Sequence, residues 1–373
     1  LEAAVGFEEQ EPDDATSTTI DAERRRGRGA RSNHTGRFER ERREAFDDGW
    51  EGLGDLDAFK TEVREEPART IITRNDSPDI SFDRSINPYR GCEHGCVYCY
   101  ARPTHCYLGH SAGLDFETKL YAKPDAAKLL ERELAHPRYS PATIALGTNT
   151  DPYQPIERER KITRSILEVL ERAGHPVGIV TKSGLVTRDI DILERMAARG
   201  LAKVALSVTT LDGRIARAME PRAATPTKRL EAVRQLNQAG IPTSVMVAPI
   251  IPALTDPEIE RILEAAHAAG AREAGYVLLR LPLEIKLLFR EWLGTEFPDR
   301  ADRIIQLLQS MHGGRDYVSE FGVRQRGRGP YADQIGMRFR LACKRLGLNV
   351  NRRALRTDLF TAPVLDGQQM RLF

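Results

Sequence analysis

Cys92-Glu93-His94-Gly95-Cys96-Val97-Tyr98-Cys99-Tyr100 follows Asn87-Pro88-Tyr89-Arg90-Gly91 and sets three cysteines in a C-x3-C-x2-C spacing. On a glycine-containing loop, three thiolates this close together can turn inward onto one soft metal centre, and sulfur ligation is the normal way of holding an iron–sulfur cluster. With only three ligands to a cubane cluster, one iron keeps an open position for a substrate or cofactor. A structural zinc site would want a fourth ligand in near-tetrahedral geometry, for which Cys106, His94 and His105 stand nearby. Zinc knuckles usually come as two cysteine pairs, whereas this chain has a single cysteine cluster.

The rest of the composition is compatible with such a site. A chain of 373 residues is long enough for one large domain with extensions or for two domains. Its net charge of +2 says nothing by itself about partners. Five cysteines, three of them in the motif, argue for a reducing compartment rather than a disulfide framework. The N-terminus has no basic segment followed by an apolar stretch, and no apolar run approaches the length of a membrane span, so a cytoplasmic protein is expected.

Working outward, residues 1–65 read as a charged, partly irregular N-terminal arm. Arg24-Arg25-Arg26-Gly27-Arg28-Gly29 and Arg31 form a basic, glycine-interrupted run. Such a run can track a phosphate backbone, be solvated, or lie along the parent domain. Arg37 to Ala45 is a short charged helix candidate, and Phe38, Phe46 and Trp50 are candidates to pin the arm onto the main domain. Residues 66–280 then alternate short apolar runs with amphipathic helices. Strands are predicted at Ile80–Ile86, Thr143–Gly147, Val177–Thr181, Lys203–Ser207, Thr243–Ala248 and Glu273–Leu279. Helices are predicted at Pro124–His136, Glu157–Ala173, Thr187–Arg199, Pro226–Ala239 and Asp256–Ala269, several closed by a glycine such as Gly200 or Gly240. Strand then helix, repeated, means a parallel sheet with right-handed crossovers, here six units with the cysteine loop after the first strand.

The cysteine motif, Tyr98 between its last two cysteines, and the six strand–helix units together resemble the radical S-adenosylmethionine (radical SAM) superfamily. That resemblance implies an α/β fold, a partial (β/α)6 barrel with an N-terminal arm and a basic C-terminal extension. It implies a [4Fe–4S] cluster on Cys92, Cys96 and Cys99, with S-adenosyl-L-methionine chelated to the fourth iron and cleaved to a 5′-deoxyadenosyl radical. A low-potential electron donor such as flavodoxin or ferredoxin is the implied reductant. Sites in such folds sit at the C-terminal ends of the strands. By position, Thr148, Asn149 and Asp151 stand where the family binds the SAM amino group, although the commoner Gly-Gly-Glu pattern is absent; a helix-capping loop is the plain alternative. Lys182, Ser183 and Ser207 end the next strands and are candidates for the SAM carboxylate or ribose. Arg222 is a further carboxylate partner, with a salt bridge to Glu220 as the alternative, and Tyr98 is expected beside adenine.

The stretch from Asn87 to Gly109 and the run from Gly147 to Pro155 look like the branch related to the spore photoproduct lyase-like DNA-repair enzymes. In that branch a cysteine near the site returns a hydrogen to the substrate, which directs attention to the spare thiols Cys106 and Cys343 and to Tyr98, Tyr100, Tyr107 and Tyr317. Residues 281–373 read as an extension covering the barrel. In it Phe289 and Trp292 suggest a lid or dimer surface, and residues 303–311 a helix. Arg324, Arg326 and Arg328, followed by Arg338, Arg340, Lys344, Arg345, Arg352, Arg353 and Arg356, form the strongest basic concentration. With Tyr331 and Phe339 interspersed, this fits a DNA- or RNA-following surface, or else the solvated face of a terminal helix with Phe339, Leu341 and Leu346 inward. Three functions stay open: a radical enzyme on nucleic acid, one on a peptide or small molecule, and a non-catalytic iron–sulfur regulator.

Overall fold

The computed structural model describes residues 20–39, 58–352 and 354–365. The expected anchors Phe46 and Trp50, most of the 37–45 helix, and Arg353 lie outside the described residues. Six parallel strands form the core: β1 (Arg84–Ile86), β2 (Ile144–Leu146), β3 (Val177–Thr181), β4 (Ala202–Ser207), β5 (Thr243–Ile250) and β6 (Glu273–Leu278). They lie side by side in chain order, and Ile72–Arg74 adds an antiparallel strand outside β1. Between them run α1 (Ala126–Leu134), α2 (Ile162–Arg172), α3 (Ile190–Ala198), α4 (Pro226–Gln238) and α5 (Ile259–Ala268).

The alternation of the strands explains why the sheet has one covered and one open face. Ile179, Val204, Leu206, Val245 and Val247 are buried, and they share a core with Ile192, Leu193, Val233, Leu236 and Ile262 of the helices. The register places Gly178 beside Lys203, Val180 beside Ala205, Ser207 beside Met246, and Met246 beside Gly275 on the other face. Those side chains are small or only partly covered; Val180 is 37% exposed. Helix ends follow local chemistry. Thr225 accepts the Lys228 N–H at the start of α4, with Pro226 in the first turn, and Gly240 closes it with φ of 72°.

Several predicted elements change at their ends. The single helix expected from Glu157 is two, Glu157–Arg160 and α2, broken at Lys161 with φ of 53°. The buried Glu157 carboxylate accepts the Thr163 N–H at 3.0 Å and the Tyr89 hydroxyl, which anchors the break. Residues 80–83 are not strand, and α3 is preceded by a 3-10 turn over Gly184–Asp189. A second sheet of Glu62–Glu65, Lys119–Ala122 and Tyr89–Arg90 was absent from the sequence reading, because Glu62-Val63-Arg64-Glu65 carries no apolar alternation.

Beyond β6 come α6 (Ile285–Glu296), α7 (Pro298–Met311) and α8 (Pro330–Leu346). Phe289 and Trp292 are not an exposed lid or dimer surface: both are buried, and the Trp292 indole N–H donates to the Ala218 carbonyl at 2.9 Å. On α8, Phe339 packs against Tyr276, their ring centroids 4.7 Å apart, whereas Leu341 faces solvent. Among the described residues no helix is long and apolar enough to cross a membrane. Because Trp292 is a core residue, Trp292→Ala should lower the unfolding free energy by about 3–5 kcal/mol in urea denaturation, with the sedimentation profile of the folded variant unchanged.

Candidate active site

The cysteine loop leaves β1 through Tyr89–Arg90 and is fastened along its length. Cys92 N–H donates to the Phe116 carbonyl at 2.9 Å, Val97 N–H to Met219 at 3.0 Å, and Cys99 N–H to Cys96 at 3.2 Å. Beneath it the fully buried Arg102 donates to the Cys96 carbonyl at 2.9 Å and pairs with Glu117. Cys92 and Cys96 are buried, Cys99 is half-buried, and all three are free thiols. Burial pushes the Cys92 and Cys96 thiols well up, with Asp151 adding to it at Cys92 and Glu220 at Cys96, and the neighbouring thiols raise both further. Two buried sulfurs that resist ionising, with Cys99 on the same loop, suit a cationic multi-iron centre, which supplies the missing positive charge. Among the described residues no group of three or more His, Cys, Asp or Glu is arranged to hold a metal ion.

The loop after β2 closes over the cysteine loop from one side. Asn149 N–H donates to Asn87 Oδ1 at 2.9 Å, the Thr148 hydroxyl to the same atom at 3.3 Å, and the Asn149 amide to Thr104 Oγ1 at 3.4 Å. Thr150 and Gln154 both donate to the Gly91 carbonyl, and Gln154 Oε1 accepts the Glu93 N–H at 2.9 Å. Asp151 ties this loop to the next strand. Its carboxylate accepts from Thr181 Oγ1 at 2.7 Å and Lys182 N at 2.8 Å, and lies 3.3 Å from His94 Nδ1. Burial alone would raise its pKa, but His94, Thr181 and the Lys182 N–H outweigh that and hold it at about 2.

Lys182 reaches over the Tyr98 ring, 5.6 Å from its centroid. Ser183 caps the following turn by accepting the Leu185 N–H at 3.2 Å. Ser207 is buried at the end of β4, its carbonyl accepting from Arg229 at 2.9 Å. Arg222 pairs with Glu93 at 3.2 Å and not with Glu220. Glu220 instead takes the Tyr98 hydroxyl, the Thr209 hydroxyl at 2.7 Å, and the buried Arg229 guanidinium. Thus the fold gathers Cys92, Cys96, Cys99, Tyr98, Thr148, Asn149, Asp151, Lys182, Ser183, Ser207 and Arg222 at one mouth.

The spare thiols are elsewhere. Cys106 lies 3.6 Å from Glu284 in a small apolar group with Ala30, Ala112, Leu114 and Leu288, and burial beside Glu284 raises its pKa to about 11. Cys343 is 3.8 Å from Asn349, which bonds both backbone groups of Ala274 near the start of β6. That places Cys343 at the end of the sheet opposite the cysteine loop. Sequence reasoning missed Arg102, Glu117, Arg229 and Arg280, and it named Glu220 only as a partner for Arg222. Arg280 follows β6 and stacks on Tyr100, 4.9 Å from the ring centroid; its buried Nε has no partner. Nearby, residues 322–325 join the two edges of the sheet: the Gln325 carbonyl accepts the Leu278 N–H at 2.9 Å, while Gly322 and Arg324 bond Asp79.

This arrangement, a three-thiol loop at the C-terminal end of a six-stranded parallel sheet, meets its counterpart in known proteins. The radical SAM superfamily profile matches residues 86–266. The chain belongs to the radical SAM superfamily. The superfamily implies a [4Fe–4S] cluster and SAM, and three free thiols on one loop fit the ligand set of the cluster. An uncharacterized protein of Mycobacterium tuberculosis is 36% identical over 230 residues, 61% of this chain and 68% of the relative. The radical SAM Nα-GlyT isomerase of Pseudomonas phage M6 is 27% identical over 199 residues, but these are only 39% of that protein. Spore photoproduct lyase complexed with dinucleoside spore photoproduct superposes with a TM-score of 0.55 over 77% of this chain and 80% of that chain at 17% identity. That likeness concerns the fold.

The Glu220–Arg229 pair generates a direct test. Arg229→Met leaves a buried carboxylate uncompensated and should destabilise the protein by about 3–5 kcal/mol, read by urea denaturation. The double variant Arg229→Met/Glu220→Gln should recover much of that loss.

Proposed function

We propose that this chain reductively cleaves S-adenosylmethionine and abstracts a hydrogen atom from a substrate bearing a negative charge, with nucleic acid as the leading class. The observation that carries the reading is the loop of three free cysteines at the mouth of the open face of small side chains. When bound, the cluster and SAM together supply the 5′-deoxyadenosyl radical, which is the cofactor's own chemistry. The chain's residues bind, orient and shield. Cys92, Cys96 and Cys99 hold the cluster. Thr148 and Asn149 offer backbone and side-chain polar groups for the SAM amino group, and Lys182 supplies a cation for its carboxylate. Tyr98, fixed by Glu220, presents a ring face at the same place. Asp151 acts by holding the loop after β2 against the start of the next turn.

Arg280 supports an anionic substrate. It makes no hydrogen bond or ion pair among the described residues, and it lies over Tyr100, directly after the last cysteine. A planar guanidinium with a free donor edge matches phosphate or carboxylate oxygens. Spore photoproduct lyase, whose fold this chain shares, is seen complexed with a dinucleoside spore photoproduct, which is in keeping with a nucleic-acid substrate. The peptide or small-molecule reading also has a specific observation behind it. Arg324, Arg328, Arg338 and Arg345 of the basic extension are paired with Asp79, Glu320, Glu260 and Glu264, and Arg326 lies 3.9 Å from the Tyr276 ring centroid. Four arginines of the stretch expected to follow phosphates are therefore engaged within the chain. Cys343, at the opposite end of the sheet, is remote from the mouth.

The test is 5′-deoxyadenosine formation by protein reconstituted without oxygen and reduced with dithionite, with and without single- and double-stranded oligonucleotides. The expected result is nucleoside formation that an oligonucleotide stimulates and that Cys92→Ala, Cys96→Ala or Cys99→Ala abolishes. Formation indifferent to nucleic acid would move the substrate to the peptide or small-molecule class, and its absence from a cluster-loaded, reduced sample would contradict the enzymatic reading. Loss of one charge-assisted contact in Arg280→Ala should raise KM for the charged substrate roughly tenfold while leaving SAM binding intact.

A further inference from the structure

From Arg28 onward the basic N-terminal run is not solvated. Arg28 and Arg31 are buried, and Ser32 is fully so. The Gly29 and Ala30 N–H groups each donate to Glu117, at 2.8 Å, and the Arg28 guanidinium donates to the Glu117 carbonyl at 2.9 Å. Glu117 is the partner of Arg102, whose remaining donors hold the Cys96, Ala112 and Gly113 carbonyls at 2.9, 3.0 and 2.9 Å. A second line of contacts runs from Arg28 to Thr61 Oγ1 at 2.9 Å, and from Thr61 to Glu93 Oε1 at 2.7 Å. Both lines end on the cysteine loop.

The closest approach is between two glycines. A Cβ at Gly29 would meet the Gly95 carbonyl oxygen at 1.8 Å, and one at Gly95 would meet Glu117 Oε2 at 2.7 Å. Gly95 itself stands directly before Cys96, with φ of 68°. Only a residue without a side chain lets the arm lie directly on the loop here. The buried carboxylate has no water to turn to, so its partners are the arm and Arg102.

We propose that residues 28–30 form a latch over the cysteine loop, held by the Arg102–Glu117 pair, that keeps Cys92 and Cys96 in register for the cluster and covers that side of it from solvent. Arg102, Glu117 and Gly29 are on this view positioning residues for the cofactor, which makes a segment outside the matched family region part of the site. The inference rests on the cluster reading above. It assigns the arm a role toward the cofactor rather than toward nucleic acid.

The experiment compares wild-type protein, Gly29→Ala and Glu117→Gln, with Arg26→Ala as a control at an exposed position of the same run. Each is reconstituted without oxygen, its iron and sulfide are counted, and its visible absorbance is followed after air is admitted, at a temperature where circular dichroism shows all four folded. The expected result is iron content below half that of wild type, or cluster loss at least several-fold faster, in Gly29→Ala and Glu117→Gln, with Arg26→Ala unchanged. If both variants load and keep the cluster like wild type, the latch is overturned while the cluster reading stands. Wild-type protein that takes up no iron would overturn both. Because a variant can fail to fold, amide exchange of the wild-type protein gives an independent reading: loading the cluster should increase protection at Gly29 and Ala30, and equal exchange in the apo and loaded forms would contradict the latch.

Discussion

Cys92 and Cys96 are buried thiols on one short loop that resist ionising without a positive charge beside them, and much of the surrounding structure answers to that constraint. Burial and mutual proximity push Cys92 and Cys96 toward the neutral form, and coordination to iron reverses the preference. For this to work the sulfurs must be held in place before the metal arrives. Loop N–H bonds to the Phe116 and Met219 carbonyls, the Thr150 hydroxyl on the Gly91 carbonyl, and the Arg102 guanidinium on the Cys96 carbonyl do that holding. The support comes from four separate parts of the chain, so the site is a property of the whole fold rather than of the motif.

The sheet supplies the complementary half. One face is a continuous apolar core beneath α2 to α5, while the other carries Gly178, Ala205, Ser207 and Gly275, which leave room above the strands. The strand ends bring Asp151, Lys182 and Glu220 to the same rim as the cysteines. Charges at the rim are mostly committed: Asp151 to its neighbours, Glu220 to Arg229 and Tyr98, Arg222 to Glu93. Lys182 and Arg280 instead face aromatic rings.

What the sequence could disclose follows the range of the interactions concerned. Hydrophobic period and glycine stops are local, and Val177–Thr181 is found as predicted while the other five core strands differ only at their ends. The cysteine loop is legible for the same reason. The Lys161 break was hidden because its cause, the buried Glu157 carboxylate, acts through tertiary packing. Burial of Arg28 could not be read from a run of arginines and glycines, since its acceptors lie 31 to 89 residues away. The pairing of Glu220 with Arg229 rather than Arg222 is likewise a matter of where α4 begins. Leu341 was expected inward with Phe339, but two residues along a helix point to different sides.

The central claim is that Cys92, Cys96 and Cys99 hold a cluster whose remaining iron is open to SAM beside Lys182. Electron paramagnetic resonance of the reduced, reconstituted protein tests it most directly, recorded before and after SAM is added. The account predicts a reduced [4Fe–4S] signal whose shape changes when SAM binds, and that is lost in Cys96→Ala. A strong cluster signal that SAM leaves unaltered at saturating concentration would contradict it.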